Sequence, residues 1–292
     1  MIIVTGANGQ LGQAIVEKLV ERVPAGQVGV SVRDPEKASA LTALGVRVRR
    51  GDFADPASLS DAFEGATQVL IVSSNASAYG GDPLAQHRAA IEAARAAGAG
   101  RVVYTSHMAA SSASLFPPMR DHAATEEMLS QSGLAWTALR NGFYASSGLM
   151  FLGEALKTGR LEVPADGKVS WTAHADLAEA AAILLANEGQ YEGPTPPLTS
   201  FQALDLADLA ATASELQATL IHRQIVPDED FQAKMAARGM PGHVVDIMLG
   251  FYRASCQGEF AAVDPTLARL LGRSPISMRD VIAEKVGSES AN

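Results

Sequence analysis

The chain has 292 residues, 47% hydrophobic and 19% charged, with a formal net charge of −9. That length buries a sizeable core, as one large α/β unit or two smaller domains, and the acidic balance argues against a nucleic-acid partner held by a broad basic surface. A single cysteine, Cys256, excludes an intrachain disulfide and fits a reducing cytoplasm. No apolar run approaches the roughly 20 residues that cross a membrane, and Met1 to Val4 leads straight into a glycine loop, so no signal peptide is expected.

Ile2-Ile3-Val4 predicts a strand, and Gly12 to Val23 a helix with Ile15, Leu19 and Val23 on one face. Gln27 to Val32 predicts a second strand. Asp34-Pro35 then looks like an N-cap followed by a first-turn proline, with Gly45 as the helix stop. Val46 to Arg49 is a third strand, Asp55-Pro56 repeats the cap signal, and Gly65 ends that helix. Val69 to Val72 reads as a short buried strand. Leu84 to Ala97 is a helix ending at Gly98, Arg101 to Thr105 a strand, His122 to Ser132 a helix ending at Gly133, and Leu134 to Arg140 a strand. This alternation predicts the α/β class, with a Rossmann-type, doubly wound parallel sheet.

After about Gly142 the rhythm loosens. Asp176 is expected to cap an alanine-rich helix, Leu177 to Ala186. Pro194, Pro196 and Pro197 mark a loop. Leu204 to Leu216, Phe231 to Arg238, His243 to Ser255 and Leu267 to Leu271 read as helices, with a strand near Leu220 to Val226. Gly287 to Asn292 reads as a polar, frayed tail. The expected organisation is a Rossmann domain over 1–150, to which 168–199 returns, and a smaller helix-rich substrate-binding domain over 151–292.

The strongest motif is Thr5-Gly6-Ala7-Asn8-Gly9-Gln10-Leu11-Gly12, directly after a strand and before a helix. Gly6 permits the tight turn, Gly9 lets backbone approach a pyrophosphate, and Gly12 lets the helix pack closely on the strand. The helix N-terminus offers free N–H groups and a favourable dipole to the anion. Glycine spacing alone is weak; in a βαβ array it predicts a dinucleotide site. Arg33 falls about 20 residues beyond the loop, where the ribose is read, and its planar guanidinium suits the 2′-phosphate of NADP(H). Lys37 adds charge, while the adjacent Asp34 would favour NAD(H) unless it points away as a cap. Asp52 and Phe53 follow the third strand, and Ser73, Ser74 and Asn75 the fourth, all at the carboxyl edge where ligands bind. No histidine pair or cysteine cluster has metal-ligand spacing, so no metal is expected.

TGANGQLG, VRDPEKA after the second strand, GDFADP after the third and LRNGFY after the sixth resemble the NmrA-like, atypical branch of the short-chain dehydrogenase/reductases. Within that branch the chain is most similar to bacterial NADPH-dependent quinone reductases and triphenylmethane reductases. The likeness spans nearly the whole chain and includes His174-Ala175-Asp176-Leu177-Ala178. It implies NADP(H) held by Thr5, Gly6, Asn8, Gln10, Leu11, Arg33, Asp52 and Phe53. It also implies a nicotinamide near Ser73, Ser74, Thr105, Asn141, Gly142, Phe143 and Tyr144.

The chain departs from the larger superfamily at its catalytic pair. Most short-chain dehydrogenases use Tyr-x-x-x-Lys, the tyrosine protonating the carbonyl oxygen. None of the five tyrosines here has a lysine four residues on; His122 and Glu126 stand at the two slots. A ketone needs a proton as its alkoxide develops, and a positioned acid supplies about 10²–10⁴-fold. Hydride addition to a quinone leaves a delocalised oxyanion that water protonates, and a triarylmethyl cation needs no proton. The expected activity is therefore reduction of a quinone-like electrophile, with His122 and Tyr144 as polar pocket groups. Plain alternatives remain: a solvated or capping His122, a core-packing Tyr144 and a helix-face Glu126. An apolar set (Met108, Phe116, Phe143, Met150, Phe151, Met248 and Phe251) suits either a flat-ring pocket or core packing, the latter favoured for each. Three functions are thus weighed: an NADPH-dependent reductase acting as monomer or homodimer, a non-catalytic NADP(H)-binding redox sensor, and an isomerase or reductase of a plant-phenolic type, which a lysine over the nicotinamide would favour.

Overall fold

The computed structural model describes residues 1–290. Its strands, in chain order, are β1 (Ile2–Thr5), β2 (Val28–Val32), β3 (Arg47–Arg50), β4 (Gln68–Ile71), β5 (Arg101–His107), β6 (Ala135–Asn141), β7 (Phe143–Tyr144), β8 (Arg160–Val163), β9 (Trp171–Thr172), β10 (Gly193–Pro194) and β11 (His222–Ile225). Seven form one parallel sheet in the order β10-β6-β5-β4-β1-β2-β3. β7 pairs with β9 and β8 with β11. The strand order turns between β1 and β4, where Ile2 lies opposite Val28 on one side and Gln68 on the other. Such a reversal opens a crevice at the carboxyl ends of the strands.

The helices are α1 (Gln10–Val20), α2 (Ser39–Ala43), α3 (Pro56–Ala62), α4 (Pro83–Ala96), α5 (Pro117–Ser130), α6 (Ala145–Leu152), α7 (Ala155–Thr158), α8 (His174–Ala186), α9 (Leu206–Gln217), α10 (Asp228–Ala237), α11 (Gly242–Cys256), α12 (Thr266–Leu271) and α13 (Met278–Ser290). The sheet's two faces follow from period-two alternation. Val4, Leu70, Val103 and Leu139 pack with Leu11, Ile15 and Leu19 of α1 and Leu177 and Leu184 of α8. Ile3, Val69, Ile71, Val102 and Tyr104 face the other way, onto Leu59, Ile91 and Leu129 of α3, α4 and α5. A third core gathers Phe143, Trp171, Leu209, Phe231, Phe251 and Phe260.

Several local expectations need correction. Asp34 and Asp55 stand at the N-cap positions, but the main partners of their carboxylates are Lys37 (2.6 Å) and Arg50 (2.8 Å). Asp176 lies inside α8, which starts at His174. Its fully buried carboxylate accepts from Arg273 (2.7 Å) and the Ile276 N–H (2.6 Å). The carboxylates that do cap helices are Asp82 on α4 and Asp205 on α9. α5 begins at Pro117, so His122 sits within it rather than at its start. Gly287 to Ser290 continue α13 rather than fraying, and Ala291 and Asn292 lie outside the described residues. The apolar set resolves mostly into core: Met108, Phe143 and Phe251 are buried, Phe151 stacks on Phe251 at 4.4 Å, and Met150 is exposed.

Glu126 is a buried tie rather than a solvated helix-face group. It accepts from Ser106 Oγ (2.6 Å) and from Arg140 Nε (3.1 Å) and Nη2 (2.6 Å), joining α5 to β5 and β6. Removing one partner of a buried ion pair leaves the other uncompensated. Glu126→Ala should lower the unfolding free energy by roughly 3 kcal/mol, read from urea denaturation followed by circular dichroism.

Candidate functional site

The turn after β1 sets the site. Gly6 has φ +63°, a left-handed conformation that glycine adopts without strain. The Gly9 N–H closes the turn on the Gly6 carbonyl at 2.9 Å. A Cβ on Gly12 would lie 2.5 Å from that same oxygen, so only glycine lets α1 start this close to β1. The free N–H groups of α1 therefore open into the crevice.

That crevice is a cleft of about 810 Å³. Gly6, Asn8, Gly9, Gln10, Leu11 and Gly12 line its middle. Arg33, Lys37, Asp52 and Phe53 line one end, and Ser73, Ser74, Asn75 and Tyr144 the other. Sequence reasoning missed Ser31 and Tyr79 as lining groups, and named His174 only within the motif that carries the resemblance. Ser31 had a signal, standing near the end of β2 and two residues before Arg33.

Five of the expected contacts lie beneath or behind the cleft. Thr5 Oγ1 accepts from the Val72 N–H (2.9 Å), and Thr105 Oγ1 from the Ser73 N–H (2.8 Å), so both hold the loop after β4 rather than face the opening. Gly142 donates to the Leu198 carbonyl, and Phe143 packs in the aromatic core. Asn141 is buried beside the Tyr144 hydroxyl, and its Oδ1 has no hydrogen-bond partner.

Charge is divided along the cleft. Lys37 is paired with Asp34, and that ammonium holds the Asp34 carboxyl below its usual range. Asn8 Nδ2 binds the Asp34 carbonyl at 2.9 Å. Arg33 is exposed and makes no ion pair or hydrogen bond among the described residues. The residues present fit a dinucleotide: free N–H groups at a helix start, an uncommitted guanidinium, and a buried Ser31 hydroxyl without a partner at the cleft wall.

Neutral histidines stand behind the Ser73–Ser74 loop. His87 Nε2 accepts from the Ser74 N–H, and its Nδ1 donates to Thr125 Oγ1, whose own proton goes to the Asp121 carbonyl. The Tyr104 hydroxyl and His122 Nδ1 share a hydrogen bond of 2.8 Å. Burial pushes His87 down to about 4, His107 down to about 3 and His122 well down, and pushes the Tyr104 phenol up. His122 does not line the cleft. At the two slots of the missing pair the structure thus holds a histidine tied to Tyr104 and a glutamate tied to Arg140. Among the described residues no His, Cys, Asp or Glu group has a metal-binding arrangement, and no helix is long and apolar enough to cross a membrane.

The depressed histidines have a consequence for stability. An unfolded histidine takes a proton near 6.5, whereas folded His87 refuses it until about 4. The unfolded state therefore binds more protons within that window, and stability falls as pH drops through it. Acidifying from pH 7 to 4 should cost about 3 kcal/mol through His87. Urea titrations at each pH measure this, and His87→Gln should flatten the dependence.

A family model described as NAD(P)H-binding matches residues 6–188. Quinone oxidoreductase 2 of Escherichia coli is 34% identical over 284 residues, 97% of this chain and 98% of that protein. The solved Escherichia coli NADPH-dependent quinone oxidoreductase complexed with NADPH matches with a TM-score of 0.90 at 34% identity, covering 97% of this chain and 99% of that one. Citrobacter sp. triphenylmethane reductase complexed with NADP(H) matches with a TM-score of 0.87 at 31% identity, covering 98% and 100%. An NmrA-like family domain-containing oxidoreductase of Aspergillus flavus is 30% identical over 288 residues, 97% of this chain and 94% of that protein.

Proposed function

The chain belongs to the NAD(P)H-binding, NmrA-like family, and on that premise we propose that it is an NADPH-dependent reductase of quinones or comparable electrophiles. The observation that carries the choice of acceptor is the occupied catalytic pair. His122 and Glu126 fill the Tyr–Lys slots, and both are bonded away from the cleft. A ketone would lack its acid there. A quinone or a cationic dye, being a strong hydride acceptor, does not need one.

When bound, the reduced nicotinamide supplies the hydride, and the protein supplies position and electrostatics. The N–H groups at the start of α1 hold the pyrophosphate, and Arg33 takes the 2′-phosphate. Asp52 and Phe53 flank the adenosine end. Ser73, Ser74 and Asn75, held by Thr5, Thr105 and His87 behind them, border the nicotinamide together with Tyr144. We assign 1–150 with 168–199 to the cofactor-binding part, because α8 and β10 return to the sheet layer, and the rest of 151–292 to the substrate side. The single, exposed cysteine suits a cytoplasmic setting.

Enzyme-dependent NADPH oxidation with a simple p-quinone, run beside NADH, tests this reading. The expected result is turnover that prefers NADPH. Arg33→Ala should raise the KM for NADPH by roughly 10- to 100-fold and leave that for NADH nearly unchanged. Equal use of both cofactors by the unmodified protein would remove the role of Arg33. Tight NADPH binding with no turnover on any electrophile would favour a redox sensor instead.

A further inference from the structure

His174 opens α8 at the cleft, on the side of Tyr144. The two rings lie against each other, with centroids 4.4 Å apart and planes tilted by 37°. His174 Nδ1 is 3.5 Å from Ser146 Oγ. Of the two neutral tautomers, the one in which the Ser146 hydroxyl donates to Nδ1 carries the ring proton on Nε2, and it is this tautomer that the proposal requires. No described residue takes up Nε2. Burial lowers the His174 pKa and raises that of Tyr144, so both stay neutral near pH 7 and both remain hydrogen-bond donors.

We propose that His174 Nε2–H and the Tyr144 hydroxyl form an oxyanion site for the hydroquinone monoanion left by hydride addition to a quinone. This rests on the reductase reading above. The quinone gains two electrons and one hydrogen as hydride from NADPH, and one quinone oxygen takes the negative charge. The two donors hold that oxygen without giving up their protons, because a neutral imidazole and a buried phenol are poorer acids than the product. A solvent proton completes the hydroquinone. Two donors fixed by the packing of their rings against each other need little reorganisation as the charge forms. A triarylmethyl cation develops no oxyanion on reduction, so this pair distinguishes the two classes of acceptor.

The first test needs no turnover. 4-Nitrophenol, titrated by its visible absorbance with the NADP⁺-loaded protein, should show a lowered phenol pKa on binding. His174→Phe keeps a stacking ring but removes the donor, and should abolish that shift; His174→Gln, which restores an N–H, should recover part of it. The second test compares acceptors: in His174→Phe the ratio of quinone to triarylmethyl-dye turnover should fall roughly 100-fold. An unshifted phenol pKa in the unmodified protein, or equal loss of both turnovers in His174→Phe, would overturn the proposal and leave His174 a packing group. If the unmodified protein reduces neither acceptor, the reductase reading fails, while the phenol shift still decides whether the donor site exists.

Discussion

The contact on which the rest of the molecule depends is the approach of α1 to the turn after β1. A side chain at Gly12 would place carbon 2.5 Å from the Gly6 carbonyl oxygen. With hydrogen there instead, the helix starts directly over the strand and its unbonded N–H groups face the point where the strand order reverses. That contact fixes where an anion sits. It also fixes the direction of the cleft, with Arg33 on the β2 side and Tyr144 and His174 on the β6 and α8 side.

The two ends are built on different electrostatics. The Arg33 end offers an uncommitted, water-exposed cation, while Lys37 is already spent on Asp34. The other end is backed by groups that burial keeps neutral: His87, His107, His122 and Tyr104. Neutral groups there do not repel a cationic acceptor, and His87 supports Ser74 from below. The missing Tyr–Lys pair is part of the same arrangement. Its two positions brace α5 against β5 and β6.

The sheet was legible because its signals are local. Short strand-like runs alternating with helical stretches, most of them closed by a glycine, marked β1 to β6, and the glycine loop marked the ligand edge. What stayed hidden depends on distant partners. Asp176 looked like a cap, but its partner Arg273 is 97 residues away. β7 and β9 are two-residue strands that exist only through each other. Thr5 and Thr105 were placed at the site by the family resemblance, yet the hydroxyl of each is engaged by a backbone N–H of the loop after β4. His122 was misjudged as a pocket group because α5 starts at Pro117, turning that side chain towards Tyr104.

Direct hydride transfer from one cleft to an acceptor that needs no enzymic acid is the central claim. It is tested most directly with NADPH deuterated at the nicotinamide C4 and a triarylmethyl dye cation. The account predicts one deuterium on the central carbon of the colourless product, with a primary isotope effect in a single turnover. A product carrying only solvent hydrogen at that carbon would contradict it.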